Sequence, residues 1–156
     1  MKYPMQSLKN TLLTCSFLLT GLLLVACSTP YHTTDLPAPD IKGSYTDNYN
    51  YSQDIEAKQW IINNQSVFVY QLVNNAESYL TAKNSSANPY YPDKFSRFEW
   101  THYFGDIWYC QQVYDASTAA NANNFTIYPK ADSSNPATGG CGLNGHNFPW
   151  SKLIPN

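Results

Sequence analysis

The feature that most constrains the fold is a two-residue alternation of side-chain character through the middle of the chain. In Ser66–Asn74, alternate residues form two faces of an extended chain, and their side chains are mainly β-branched, aliphatic or aromatic. The same period of two recurs in Glu77–Asn84 and Phe95–Phe104, and Ile107–Tyr114 is rich in aromatic and β-branched residues. This period with these residue types predicts β-strands.

The connections between these strands are short and polar. They consist of Asn63–Gln65, Asn74-Asn75 and Gly105-Asp106, and a longer loop, Ser85–Lys94, is interrupted by two prolines. Short connections join consecutive strands as antiparallel hairpins. The sequence therefore predicts an up-and-down meander.

Further elements extend this meander at both ends. Two earlier strands are predicted from Gly43–Tyr49 and Ser52–Ile62, the second bent near Ala57. After the last strand, Asp115 is a suitable N-cap for a short helix, Ala116–Ala122. We therefore expect a mainly β, barrel-like antiparallel fold of six to seven strands, with one short C-terminal helix and a coil-rich tail.

The first residues have the layout of an export signal. Lys2 and Lys9 precede an apolar run, Leu12–Leu24, which at about 13 residues is shorter than the roughly 20 that span a bilayer. The run ends in Leu24-Val25-Ala26-Cys27, which resembles the lipobox of a bacterial lipoprotein. An ordinary secretory signal, with Cys27 as a free thiol, is the alternative.

The lipobox resemblance implies a location and an anchor. Residues 1–26 would be removed as a signal peptide, and Cys27 would carry a diacylglyceryl thioether and a further acyl chain such as palmitate. Several chains anchor a protein far more firmly than one. Because Ser28 rather than Asp follows the cysteine, the resemblance implies the outer membrane, facing the periplasm or the cell surface.

Four cysteines are present, and their positions separate them. Cys15 lies in the predicted signal and Cys27 is the lipidation site, which leaves Cys110 and Cys141 in an exported domain. Disulfides persist in such compartments, so we expect these two cysteines to pair. A redox or metal site is the alternative, but residues 31 positions apart lack the spacing typical of either.

The mature chain divides into a tether and one domain. Residues 27–40 contain three prolines and small polar residues, which predict a flexible tether, and residues 41–156 have the size of a single domain. Without Lys2 and Lys9, seven basic residues face eleven acidic ones. With no basic cluster, nucleic acid and anionic lipid surfaces are poor partners.

No residue set predicts catalysis or a metal. His32 lies in the tether, and His102 is expected at the core or rim of the sheet by its parity with Phe98 and Trp100. A metal site from His102, Asp106 and His146 lacks short ligand spacing. Glu99 could face Asp106 across the Gly105 hairpin, but it is expected instead to pair with Arg97 or Lys94 on a wet face. We expect no cofactor, no metal and no catalytic residue.

Aromatic residues are the compositional anomaly. They make up 15% of the chain, with 13 tyrosines and four tryptophans, whereas charged residues make up only 13%. One interpretation is that they fill a small β core. The other is a ligand surface, since such rings stack on sugars or line apolar pockets. Under the second interpretation the candidate ligand-binding residues are Tyr45, Trp60, Tyr90, Tyr91, Trp100 and Trp108.

Two resemblances accompany these patterns. Gly43-Ser44-Tyr45 is similar to the Gly-x-Trp signature of lipocalins, with Tyr in place of Trp; no other lipocalin motif is present, and the expected strands are fewer than eight. The chain also resembles a set of small exported bacterial proteins without established activity, which implies a β-rich fold and the disulfide but no catalytic residue. The matching segments are Gly43–Tyr49, Ser96–Thr101, Trp108–Gln111, Tyr114–Ala116, Gly140-Cys141 and Phe148–Trp150.

These observations favour a non-enzymatic function. We expect a membrane-anchored exported lipoprotein that binds a small apolar molecule, a glycan or an envelope partner. The first alternative is a structural or interaction lipoprotein with a filled core and no small ligand. The second is a hydrolase acting on envelope polymers.

Overall fold

The computed structural model describes residues 35–156, so the predicted signal segment and Cys27 lie outside the described residues. The described part contains eight strands and one short helix. These are β1 (Gly43–Asp47), β2 (Ser52–Ile55), β3 (Gln59–Ile62), β4 (Ser66–Asn74), β5 (Tyr79–Asn84), β6 (Phe95–Tyr103), β7 (Asp106–Ala116), α1 (Ala119–Ala122) and β8 (Ser151–Pro155).

The strands form a closed antiparallel barrel in sequence order. Each strand pairs with the next, and β8 returns to pair with β1, with Asp47 opposite Leu153. The mainly β, barrel-like meander is therefore confirmed, but with eight strands where six to seven were predicted. Closure satisfies the backbone groups that an open sheet leaves unpaired at its edges.

The two differences in strand count have local causes. The segment Ser52–Ile62 is not one bent strand, because residues 56–58 leave the ladder and separate β2 from β3. The tail predicted as coil ends instead in β8. Of its five residues only Leu153 is buried, so its sequence carries a weak strand pattern.

The helix is shorter than predicted and starts later. Strand β7 continues to Ala116, so Asp115 is a strand residue and not the N-cap. Thr118 caps α1 instead, and its hydroxyl accepts a hydrogen bond from the backbone N–H of Asn121 at 3.1 Å. Side-chain capping of the first turn is the usual way to satisfy these N–H groups.

The barrel interior is filled by aromatic and aliphatic side chains. Trp60 stacks on Phe98 with ring centroids 4.7 Å apart, and Phe68 meets Phe98 edge-on at 4.9 Å. Burying each such side chain stabilises the fold by roughly 1.5–3 kcal/mol. The buried core cluster comprises Ile41, Tyr45, Ile55, Trp60, Phe68, Tyr70, Val73, Leu80, Ala82, Phe98, Trp100, Tyr109 and Leu153.

Residues 117–150 connect β7 to β8 and pack on the outer face of the barrel. The predicted disulfide between Cys110 and Cys141 is confirmed, with a Cα–Cα distance of 5.7 Å, and it fixes this segment to β7. Gln112 adds to this attachment, because its side chain bonds both the N–H and the C=O of Gly142. None of the helical segments within residues 35–156 has the length and apolar character needed to cross a bilayer.

Candidate binding site

The barrel has two chemically different ends. Because consecutive strands run in opposite directions, the connections after β1, β3, β5 and β7 all lie at one end, which we call the open end. The connections after β2, β4 and β6 lie at the other end together with residues 35–42, and we call it the closed end. Five exposed tyrosines lie on elements at the open end, namely Tyr49, Tyr51, Tyr90, Tyr91 and Tyr114.

A cavity of about 340 Å³ opens at this end. Its wall combines inward side chains of the barrel with tyrosines from the β5–β6 loop and the end of β7. Among the residues that the structure describes, no acidic residue, lysine or arginine lines it. The lining residues are Ile62, Ser66, Phe68, Asn84, Tyr90, Tyr91, Gln111 and Tyr114.

The cavity ends at the aromatic core. Phe68 lines the cavity and also packs against Phe98, which is itself stacked on Trp60. Phe98 and Trp60 are fully buried. The site is therefore a mouth above a filled barrel and not a deep internal chamber.

Asn84 fixes the two tyrosines that flank this mouth. Its buried side-chain amide donates to the carbonyl oxygens of Tyr91, at 2.9 Å, and Tyr114, at 3.1 Å. Its Oδ1 accepts from the hydroxyl of Ser96 at 2.7 Å. The two tyrosine rings consequently stand 5.1 Å apart, tilted by 37°.

Asn88 holds the β5–β6 loop against β4, because its side-chain amide forms the two hydrogen bonds to Val67 that a paired strand backbone would form. Its Oδ1 accepts from the N–H of Val67 at 2.8 Å, and its Nδ2 donates to the carbonyl of Val67 at 3.0 Å. Tyr91, in the same loop, has a left-handed φ of 49°, which is uncommon for a bulky residue. The loop is therefore held in one conformation before any ligand arrives.

A buried carboxylate orders the neighbouring β1–β2 turn. Asp47 Oδ1 accepts from the N–H groups of Tyr49 and Tyr51, both at 2.9 Å. Its Oδ2 accepts from Gln53 at 3.0 Å and from the Tyr109 hydroxyl at 3.1 Å. Burial, reinforced by the charge of Asp47, raises the pKa of Tyr109 well above its usual value, so that hydroxyl remains a donor.

Gln111 lines the cavity and has unused hydrogen-bonding capacity. Its Nε2 donates to Ser96 Oγ at 3.0 Å. Within residues 35–156, no protein group donates to its Oε1. An amide offers two donors and an acceptor, so Gln111 can both donate to and accept from a bound molecule.

The predicted ligand residues separate into two groups. Tyr90 and Tyr91 line the cavity, and Tyr90 is 77% exposed. Tyr45, Trp60 and Trp100 are core residues and do not line this cavity.

Neither Tyr45 nor Trp108 lies at the cavity, although both were predicted as ligand-binding residues. Tyr45 is buried in the core and donates to the carbonyl of Ile41 at 3.0 Å. Trp108 pairs across the sheet with Thr101, whereas the inward Trp100 pairs with Tyr109. Because cross-strand partners share a face, Trp108 lies on the outer surface, away from the cavity.

The two residue sets considered from the sequence, namely His102 with Asp106 and His146, and Glu99 with Asp106, do not come together within residues 35–156. His102 is exposed near the end of β6, so of the two predicted positions it occupies the rim and not the core. His146 stacks on Phe148 in the 117–150 segment, with 5.3 Å between ring centroids. Glu99 is opposite Cys110 and not Asp106. Across residues 35–156 no cluster of His, Cys, Asp and Glu side chains is arranged to hold a metal ion.

Glu99 does pair with Arg97, at 2.8 Å, but the pair is buried rather than on a wet face. Both side chains lie under residues 117–150, where Glu99 also accepts from the N–H of Ala131 at 3.0 Å. Burial raises the pKa of Glu99 despite the opposing effect of Arg97. The pair attaches the segment to the barrel and lies outside the open-end cavity.

Sequence reasoning missed the residues that organise the mouth, namely Asp47, Asn84, Asn88 and Gln111. Only one signal was available for them: Asn84 and Gln111 occupy inward strand positions where an apolar residue is usual. No protein family profile, curated protein or solved structure matches this chain.

Proposed function

We propose that this chain is a lipid-anchored exported binding protein whose site is the tyrosine-lined mouth at the open end. The lipobox-like Leu24–Cys27 segment supports the anchor, and Ser28 supports an outer-membrane location. The disulfide between Cys110 and Cys141 supports an oxidising compartment.

The observation that carries the binding proposal is the combination of an uncharged cavity with pre-set walls. Loops that bind ligands tightly are those already ordered in the free protein, because less conformational entropy is lost on binding. Here Asn84 and Asn88 order the walls through hydrogen bonds that leave Gln111 available.

The lining indicates the ligand class. Phe68 and Ile62 offer apolar contact, Tyr90 and Tyr91 offer ring faces, and Gln111 offers directional hydrogen bonds. A charged ligand would lose water without gaining a counter-charge. The function supported best is therefore binding of a small uncharged ring compound with a few polar substituents, such as a sugar unit or a heterocycle.

The filled core favours a second candidate. Trp60, Phe98 and Trp100 occupy the interior that a larger ligand would need. If no small molecule binds, the exposed tyrosines of the open end are suited to contact an envelope protein, since tyrosine is enriched at interfaces.

Native mass spectrometry of the mature protein, extracted from membranes in mild detergent, tests the proposal. We expect an extra mass that is lost on denaturation and is abolished in Tyr90→Ala and Gln111→Leu. Tyr49→Ala is the matched control, because Tyr49 is exposed at the same end but does not line the cavity. A bare protein, unchanged after incubation with mono- and disaccharides or neutral heterocycles, would favour the interaction protein instead.

A further inference from the structure

Exposed apolar side chains at the closed end differ in kind from those around the tyrosine-lined mouth. The mouth and the β1–β2 turn present tyrosines, whereas Leu36, Val69 and Phe104, exposed near the closed end, carry only hydrocarbon. Ile127 and Phe148 are also exposed, but on the segment 117–150 that covers the outer face of the barrel. Phe104 is the extreme case, with 90% of its surface exposed. Its described aromatic contact is with the neighbouring Tyr103, edge-on at 4.5 Å.

The turn that carries Phe104 would be formed more easily by another residue. Phe104 has a left-handed φ of 50°, followed by Gly105 at 86°. Glycine, asparagine and aspartate adopt this region at lower cost than a bulky side chain. A large apolar residue that is both strained and exposed at a hairpin tip indicates a contact made outside the domain.

The tether enters the domain at the same end. Asp40 donates through its N–H to Asn75 in the β4–β5 turn at 3.1 Å, and Asn75 donates to the carbonyl of Ala38 at 3.0 Å. Asp35 pairs with Lys58 in the β2–β3 turn at 3.3 Å. Residues 35–40 are thus fixed beside the turns of the closed end, which also include the β6–β7 turn of Phe104.

The length of chain between Cys27 and Asp35 limits how far this end can stand from an anchor. Eight residues reach at most about 28 Å when fully extended. If Cys27 is lipidated, as proposed above, the closed end is therefore held near the bilayer surface. Charge does not oppose contact at the tip, because Asp106 beside the turn is neutralised by Lys152 at 2.6 Å.

We propose that the closed end is the membrane-facing end of the domain and that Phe104 inserts into the interfacial region of the phospholipid bilayer. Leu36 lies beside the bilayer in this orientation. The tyrosine-lined mouth then points away from the membrane. The inference depends on the proposed lipid anchor at Cys27 but not on any ligand in the mouth.

Site-specific fluorescence on the mature lipidated protein in phosphatidylcholine vesicles tests this orientation. Single cysteines at Phe104→Cys, Leu36→Cys and Tyr90→Cys are labelled with the polarity-sensitive dye NBD, and a lipid carrying a nitroxide quencher is added. We expect about half of the emission at position 104 to be quenched, weaker quenching at position 36 and almost none at position 90. Position 90 is the matched control, because Tyr90 is also highly exposed but lies at the open end.

A second variant leaves the β6–β7 turn free of any label. Phe104→Ser in the Leu36→Cys background removes the ring without placing a dye at the tip, and we expect the quenching at position 36 to fall about twofold, since burial of the ring no longer holds the end down. Equal quenching at positions 104 and 90 on vesicle-bound protein overturns the orientation. Protein that lacks the lipid by intact mass and stays off the vesicles overturns the anchor, and this inference with it.

Discussion

A single buried side chain joins the barrel to residues 117–150, the covering segment on its outer face. The guanidinium of Arg97 is fully buried and bonds Glu99 on the same strand. It also donates to backbone carbonyls of the covering segment and lies 4.4 Å from the centroid of the Phe125 ring. The carbonyl acceptors are Ala122, Tyr128 and Pro129, at 2.8, 2.7 and 2.9 Å.

Replacing this arginine tests its role. We expect Arg97→Met to lower the free energy of unfolding by about 3–5 kcal/mol, because Glu99 is left as an unpaired buried charge and several carbonyls lose their donors. Urea denaturation measures the change. Lys58→Met is the control, since its pair with Asp35 is exposed and should contribute at most about 1 kcal/mol. Equal losses in the two variants would contradict this role.

Tyr70 gives the opposite prediction. Its hydroxyl is buried and has no hydrogen-bond partner in the described part of the chain. Removing an unsatisfied buried hydroxyl recovers its desolvation cost, so Tyr70→Phe should stabilise the protein by about 1 kcal/mol at pH 7. Tyr79→Phe, on the same sheet but only partly buried, serves as the comparison. A loss of more than about 1 kcal/mol in Tyr70→Phe would show that the hydroxyl has a partner.

The same residue predicts a response to alkali. Burial raises the pKa of Tyr70 above its usual value, so the folded state keeps the proton that the unfolded chain releases near pH 10. Stability is therefore fully present below pH 10 and falls as the pH rises above it. Each such tyrosine contributes about 1.4 kcal/mol per pH unit. Urea midpoints between pH 9 and 11.5 should fall less steeply in Tyr70→Phe than in the wild type.

At the level of elements, the disulfide is the covalent link between the barrel and its covering segment. It links Cys110 in β7 to Cys141, 31 positions later in the chain. We expect the double variant Cys110→Ala/Cys141→Ala to lose about 3–4 kcal/mol, the value for a loop of this length in the chain-entropy model. Urea unfolding by far-UV circular dichroism measures it. Loss of the β signal without denaturant would mean that the barrel depends on the link for folding itself.

The central strands were predictable because their pattern is local. The sequences of β4, β5 and β6 alternate in side-chain character, and that of β7 is rich in aromatic and β-branched residues. Such patterns can be recognised in a short window of sequence without knowing which strands pair. Strand β8 was not predictable, because only Leu153 of its five residues is buried. Its partner β1 is adjacent in space but lies about 100 residues earlier in the sequence. Closure of the barrel depends on the pairing of β8 with β1, and no short window of sequence contains both strands.

The site was only half predictable for a related reason. Tyr90 and Tyr91 stand out in a proline-broken loop, and they do line the cavity. Asn84 and Asn88 act by hydrogen bonding to backbone carbonyls of residues that are distant in sequence. Asn84 bonds Tyr114, and Asn88 bonds Val67. The position of an amide along the chain does not show which carbonyl it will reach.

For the whole molecule, the predicted anchor decides where it resides. Cys27→Ala should leave the chain unlipidated and release it from membranes into the soluble exported fraction. Palmitate labelling with and without the signal-peptidase inhibitor globomycin measures this directly. Cys15→Ala is the control, because Cys15 lies in the predicted signal peptide and not at the predicted lipidation site. A wild type that carries no label would contradict the predicted location.

The first and last strands of the barrel meet at the closed end, and this has a consequence for engineering. Asn156 donates through its N–H to the carbonyl of Ser44 at 3.3 Å, and its side chain accepts from the hydroxyl of Thr46. A short linker could therefore join Asn156 to the start of the domain at Ile41, and the chain could be cut at Asn63-Asn64 without removing any strand pairing of the barrel. Such a circular permutant, given the same lipid signal, would carry its anchor at the open end, so that the tyrosine-lined mouth would face the membrane. Comparing the native and permuted proteins would then separate the affinity of the mouth for a ligand from its access to ligands away from the membrane.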